Sequence, residues 1–206
     1  MKAAEWKQVV RPLLPADGSW EFRGFLCYRP PVHRVLLGAL GEGSGFDKGV
    51  YIWRVVMPLF VPSENVVLSW SERIGGGARK FDKFGEDALV TAIVTAIEGL
   101  RSEDDALVEI LGRADAASPN RRLHEVIGYA QLLQGDTSGA QESLIRAAAG
   151  VMETPWSQEI IDRARLISRL LDEGGPDQAV GQLDRWCDQT AGALGLRRLL
   201  RSNRSS

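Results

Sequence analysis

Cysteine and histidine are nearly missing from this chain, with two of each in 206 residues. Cys27 and Cys187 are too few for a disulfide framework or a four-thiolate zinc site. Each lies in an apolar stretch, the setting of a buried free thiol. His33 falls in an expected strand and His124 on an expected helix. Neither has a second histidine or a cysteine at metal-ligand spacing, so both read as structural or surface residues. A long apolar run is missing too. Nothing approaches the roughly 18 residues of a membrane-spanning helix, and the opening "MKAAEWKQVV" is charged where a signal peptide is apolar. A cytoplasmic chain with no membrane partner is expected. Charge of one sign is not in excess: 25 Lys and Arg stand against 27 Asp and Glu. That balance offers no basic surface to a nucleic-acid backbone. No GxSxG, HExxH, EF-hand or P-loop ending occurs. The expectation is a chain that is not an enzyme and carries no cofactor and no metal.

What is present is globular: 44% hydrophobic and 25% charged residues. The chain changes character near residue 75. Four of the six tryptophans and most β-branched residues come before it; Ala, Leu, Glu, Asp and Arg at helical spacing come after. This predicts an α+β fold, in which an N-terminal helix and a small antiparallel sheet (1–76) precede a connector (77–86). An all-helical bundle or short solenoid of hairpins (87–206) follows, and the whole could form one continuous domain.

In the first part, "AAEWKQVVRPLL" predicts a short helix with Trp6, Val9, Val10 and Leu13 on one face. "GSWEFRGFLCYR" reads as a strand broken by Pro30-Pro31, and "VHRVLLGAL" as a second. "GEGSGFDKG" is a loop. "VYIWRVVMPLFVP", Val50 to Pro62, is apolar on both faces, as a central strand is. "NVVLSWSERI" alternates again and would pair with it through a short "PSE" hairpin. About four strands are expected.

In the second part, Ala88, Leu89, Ala92, Ile93, Ala96 and Ile97 form one helical stripe. Ser102 followed by acids, Ser118-Pro119 and Thr154-Pro155 mark three further helix starts. The last carries Trp156, Ile160, Ala164, Ile167 and Leu171 on its apolar face. "VIGYAQLLQGDTSGAQESLIRAAA", Val126 to Ala149, has two apolar faces around a Gly135-Asp136 turn. Small residues at Gly128 and Ala140 let two antiparallel helices approach closely.

That stretch resembles a tetratricopeptide repeat, with Gly128, Ala140, Leu144 and Ala147 at its packing positions. His124 and Gln131 depart from the large residues usual there. "LISRLLDEGGPDQAVGQLDRW" repeats the logic with Gly174 at the turn, then Ala179, Leu183 and Trp186. Ala140 to Ala179 is 39 residues, longer than the family's period of about 34. The resemblance implies a protein-binding scaffold. "YIWRVVMPLFVPSENVVLSWSERIGG" is similar to a segment of uncharacterised bacterial α+β proteins. Their layout resembles small bacterial immunity proteins, which implies binding to a secreted toxin.

The functional expectation is a non-catalytic protein-binding protein, an immunity-type inhibitor of a bacterial toxin. Tyr51, Trp53, Arg54 and Trp70 are the candidate contact residues on the sheet. One alternative is a chaperone or adaptor for a secreted protein. Another is a small nucleotide- or anion-binding enzyme using Gly75 to Lys83, where Arg79, Lys80 and Lys83 follow three glycines ahead of a helix. Acidic pairs such as Asp104-Asp105 and Asp172-Glu173 read as helix caps or solvated faces. The basic C-terminus (Arg197, Arg198, Arg201, Arg204) suits a helix end.

Overall fold

A computed structural model describes residues 2–16, 19–44, 49–80, 86–100, 102–149 and 154–197, with backbone alone at 76–80 and 86. The fold is α+β. An N-terminal helix α1 (Ala3–Val10) passes through one 3-10 turn (Arg11–Leu13) to five antiparallel strands, paired in chain order. These are β1 (Glu21–Arg23), β2 (Leu26–Tyr28), β3 (Val35–Gly43), β4 (Gly49–Pro58) and β5 (Glu72–Lys80). Five helices follow: α2 (Glu86–Glu98), α3 (Glu103–Leu111), α4 (Arg121–Leu133), α5 (Thr137–Ala148) and α6 (Pro155–Leu194).

The run expected to be central is an interior strand, one place from the middle of the five. β4 pairs with β3 from Val50↔Gly43 to Pro58↔Val35, and with β5 on its other side. Its even residues Val50 and Ile52 face α1 and α2, in a core with Trp6, Ala39, Leu89 and Ile93. Its odd residues turn to the opposite face, where Val55 and Met57 are fully buried.

Two expectations about the strands are corrected. The run expected as one strand holds two short strands within residues 19–29, because the chain reverses at Gly24 and Phe25, with Gly24 at φ 58°. The strand expected over "NVVLSWSERI" begins only at Glu72. The Ser71 hydroxyl both accepts from Val56 N (3.1 Å) and donates to Val56 O (3.3 Å), so a side chain occupies the β4 groups that a neighbouring strand would use. Beyond it, residues 77–80 continue β5 where a connector was expected. Residues 45–48 of the "GEGSGFDKG" loop and 81–85 of the connector lie outside the described residues.

The chain divides into two compact units. The sheet unit holds residues 1–59, 63–103 and 191–206, so α2 belongs with the sheet. Its C-terminal stretch is tied to the first strands. Arg23 Nε donates to Gly195 O (2.8 Å), Val32 N to Arg197 O (3.0 Å), and Arg197 N to Tyr28 Oη (3.2 Å). The guanidinium of Arg197 also pairs with Glu21 at 3.1 Å.

The helical unit holds residues 60–62 and 104–190. Its α4 is capped by Asn120, two residues after the expected Ser118 start, because the Asn120 side chain accepts from Leu123 N. Asp136 caps α5 by accepting from Gly139 N at 2.9 Å. Thr154 and Ser157 cap α6 reciprocally, through Ser157 N to Thr154 Oγ1 (3.2 Å) and Thr154 N to Ser157 Oγ (3.0 Å). Trp156, expected on the apolar face, is 55% exposed, whereas Ile160, Ala164 and Ile167 are buried.

α6 is two arms. Gly175 interrupts it with φ 76° and ψ 177°. Arg163 Nε donates to Glu125 Oε1 at 2.6 Å, and Trp186 packs 5.6 Å from Tyr129, one turn along α4 from Glu125. Residues 163 and 186 of a straight helix would lie about 34 Å apart. Both reach the same place on α4, so the arms run antiparallel from the glycine. The second hairpin therefore turns at Gly175, one residue after the expected Gly174.

Candidate functional site

The four candidate residues on the sheet separate. Tyr51 and Trp53 are alternate residues of β4 and share its outer face, both half-buried. Arg54, between them, points to the opposite face. There it pairs with Glu72 at 3.2 Å and lies beside Gly99, just past the C-terminal end of α2, where a cation is favoured. Trp70 is 7% exposed and belongs to the core.

Sheet register supplies neighbours that pattern reasoning did not select. Trp53 stands opposite Leu40 on β3 and opposite Arg73 on β5; Tyr51 stands opposite Glu42. Directly opposed side chains on one face are in contact range. Arg73 is exposed and its guanidinium lies over both rings, 5.0 Å from the Tyr51 centroid and 6.0 Å from that of Trp53. Trp53 Nε1 donates to Glu42 Oε2 at 2.9 Å, which fixes the indole plane. Arg73 pairs with no carboxylate among the described residues. The result is a contiguous aromatic surface, capped by one cation and flanked by one carboxylate. It is mounted on β4, an interior strand that pairs with β3 throughout and with β5 on either side of a register shift at Tyr51. Arg73 was legible only as the residue opposite Trp53, once the register was known.

The anion-binding expectation has a different outcome. Arg79 and Lys80 continue β5, opposite Val50 and Gly49. Their side chains, and Lys83 altogether, lie outside the described residues. Gly75 to Gly77 lie within β5, with Gly75 at φ 73° where the register against β4 shifts. Of the C-terminal arginines, Arg198, Arg201 and Arg204 lie outside the described residues.

Among the described residues no cluster of His, Cys, Asp or Glu could hold a metal ion, and no helix is long and apolar enough to cross a membrane. His33 is exposed. His124 is buried and its Nε2 lies 2.8 Å from Ser118 O, which tethers the turn before α4. The most buried charge sits in the helical unit. Glu125 is 0% exposed and accepts from Arg163, from Arg122 (3.0 Å) and from the Tyr129 hydroxyl (3.3 Å). Burial, and then the Glu125 charge, push the Tyr129 phenol well above its ordinary range. With every partner mutually satisfied, the cluster reads as packing, not as an acid–base pair.

No protein-family model matches the chain, and no curated protein and no solved structure does either.

Proposed function

We propose that this chain is a non-catalytic protein-binding protein and that its contact surface is the Tyr51–Trp53–Arg73 face. One observation carries the reading: the Arg73 guanidinium lies over the rings of both Tyr51 and Trp53 on the outer face of the sheet. These three residue types dominate the energy of protein interfaces. They are pre-positioned on paired strands, so binding would order little that is not already ordered. The partner that suits them presents an apolar surface with a carboxylate placed for Arg73.

The narrower proposal is inhibition of a secreted bacterial toxin. An initial helix, a small antiparallel sheet and a helical tail support it, as a layout resembling that of immunity proteins. The tetratricopeptide-like reading of α4, α5 and α6 supports the same class of function. Its turn and small-residue positions coincide with hairpins, and Gly128 packs against Leu144 and Ala140.

The test compares the tagged chain with a Tyr51→Ala/Trp53→Ala/Arg73→Ala variant of matched circular dichroism. A stoichiometric partner should be retained by the first at high salt and released by the second. Trp53→Ala alone should weaken it by about 30-fold, equivalent to the ~2 kcal/mol of a hot spot. Equal retention by both chains would refute this face as the contact. A captured toxin that stays toxic on co-expression would refute inhibition. A captured partner held in an unfolded, export-ready form would point to a chaperone instead.

A further inference from the structure

The sheet unit encloses a second site, unrelated to the aromatic face. A cavity of about 390 Å³ opens where the residues after β2 meet those just before α3. Its volume lies in the range of small-molecule sites, roughly 300–1,000 Å³. Trp20, Pro30, Pro31 and Leu100 supply apolar walls, while Arg29 and Glu103 supply opposite charges.

Three features show unused recognition capacity. The guanidinium of Arg29 lies 5.3 Å from the Trp20 ring centroid and pairs with no carboxylate among the described residues. Glu103 accepts the Arg34 backbone N–H on Oε2 at 3.1 Å, and its Oε1 accepts from no described residue. Arg29 and Glu103 line one cavity without pairing with each other, so a cation and an anion both border the same largely apolar pocket. The Trp20 Nε1 is buried and has no hydrogen-bond partner among the described residues.

We propose that this cavity binds a free α-amino acid with an apolar or aromatic side chain. The carboxylate would sit on Arg29, whose forked N–H groups match it. The ammonium would be accepted by Glu103 Oε1, and the side chain would lie against Trp20 and the two prolines. A phosphorylated ligand fits less well, because the Glu103 carboxylate repels a dianion. A neutral apolar ligand would leave both charges uncompensated.

The proposal is tested by calorimetric titration of the full chain with leucine, phenylalanine and tryptophan. The controls are 3-phenylpropanoate (no ammonium), phenethylamine (no carboxylate) and phenyl phosphate. At least one apolar amino acid should bind with a Kd below about 1 mM, and its one-charge analogues should bind at least about tenfold more weakly. Arg29→Gln and Glu103→Gln should each weaken the amino acid by a similar factor. Arg29 is exposed, and glutamine at 103 can still accept the Arg34 N–H, so both variants keep the fold. No binding at millimolar amino acid would overturn the proposal. So would analogues that bind equally well, tighter binding of phenyl phosphate, or two variants that bind like the parent chain.

Discussion

Glu125 shows how a single residue can commit a helical core. Its carboxylate is completely buried, and Arg163 and Arg122, 14% and 23% exposed, lose their partner if it goes. Breaking such a pair costs more than the pair is worth, because a charge is left behind. Glu125→Ala should therefore destabilise the chain by about 3 kcal/mol in urea denaturation, and Glu125→Gln by less. A loss under about 1 kcal/mol would show that water replaces the carboxylate. Cys27 makes a second residue-scale prediction. Burial pushes its thiol from 9.0 up to about 12, opposed in part by a hydrogen bond with the Ala39 backbone. The unfolded chain releases that proton near pH 9 while the native chain keeps it, so folding takes up a proton between pH 9 and 12. The stability contribution is complete below pH 9 and declines above it, by on the order of 3–4 kcal/mol at pH 12. Tyr129 acts in the same direction. Cys27→Ala should flatten the alkaline decline of the urea midpoint; an unchanged slope would assign the decline elsewhere. The buried thiol was legible in its apolar stretch. The Glu125 cluster was not, because its members lie 38 residues apart and share no motif.

At the scale of elements, helix ends were easier to read than strand ends. Gly135-Asp136 forms the expected turn, and Thr154-Pro155 the expected start, because caps are local chemistry. Gly175 is the sharper case. Its φ of 76° with ψ 177° lies where essentially only glycine goes. An added Cβ would meet no atom within 4 Å. Gly175→Ala should therefore cost about 1–3 kcal/mol from backbone strain alone. Gly192, helical and equally open, is the control, and Gly192→Ala should stabilise by about 0.5–1 kcal/mol. Equal effects of the two substitutions would show that the turn tolerates a side chain. The strand expected over 65–71 failed for the opposite reason. Its alternation is real, but a strand needs a free partner, and the Ser71 hydroxyl occupies Val56. Residues 77–80, expected as connector, became the end of β5 because the open side of β4 pairs with them.

At the scale of the whole molecule, the sheet unit is closed by residues from the far end of the chain. The backbone groups of Gly195 and Arg197 hydrogen-bond the Arg23 guanidinium, the Tyr28 hydroxyl and the Val32 N–H, and Leu196 is 8% exposed. Ending the chain after Leu194 removes three such bonds and that apolar contact. At about 1 kcal/mol per bond, the sheet unit should lose roughly 3 kcal/mol. Faster hydrogen exchange in β1 and β2 than in α4 would locate the loss. Unchanged exchange would show that the tail closes nothing.

The sequence by itself determined the α+β class, the helical hairpins, the interior place of the 50–58 strand and the lack of metal-ligand spacing. All of these rest on periodicity, capping chemistry or composition, which act over a few residues. Only the tertiary structure decided which candidate residues share a surface. Arg54 and Trp53 are adjacent in sequence and face opposite ways. Arg73 and Trp53 lie twenty residues apart and touch, because antiparallel register sets them opposite each other. Register depends on which backbone groups remain free to pair once every strand has a neighbour. No local pattern records that outcome.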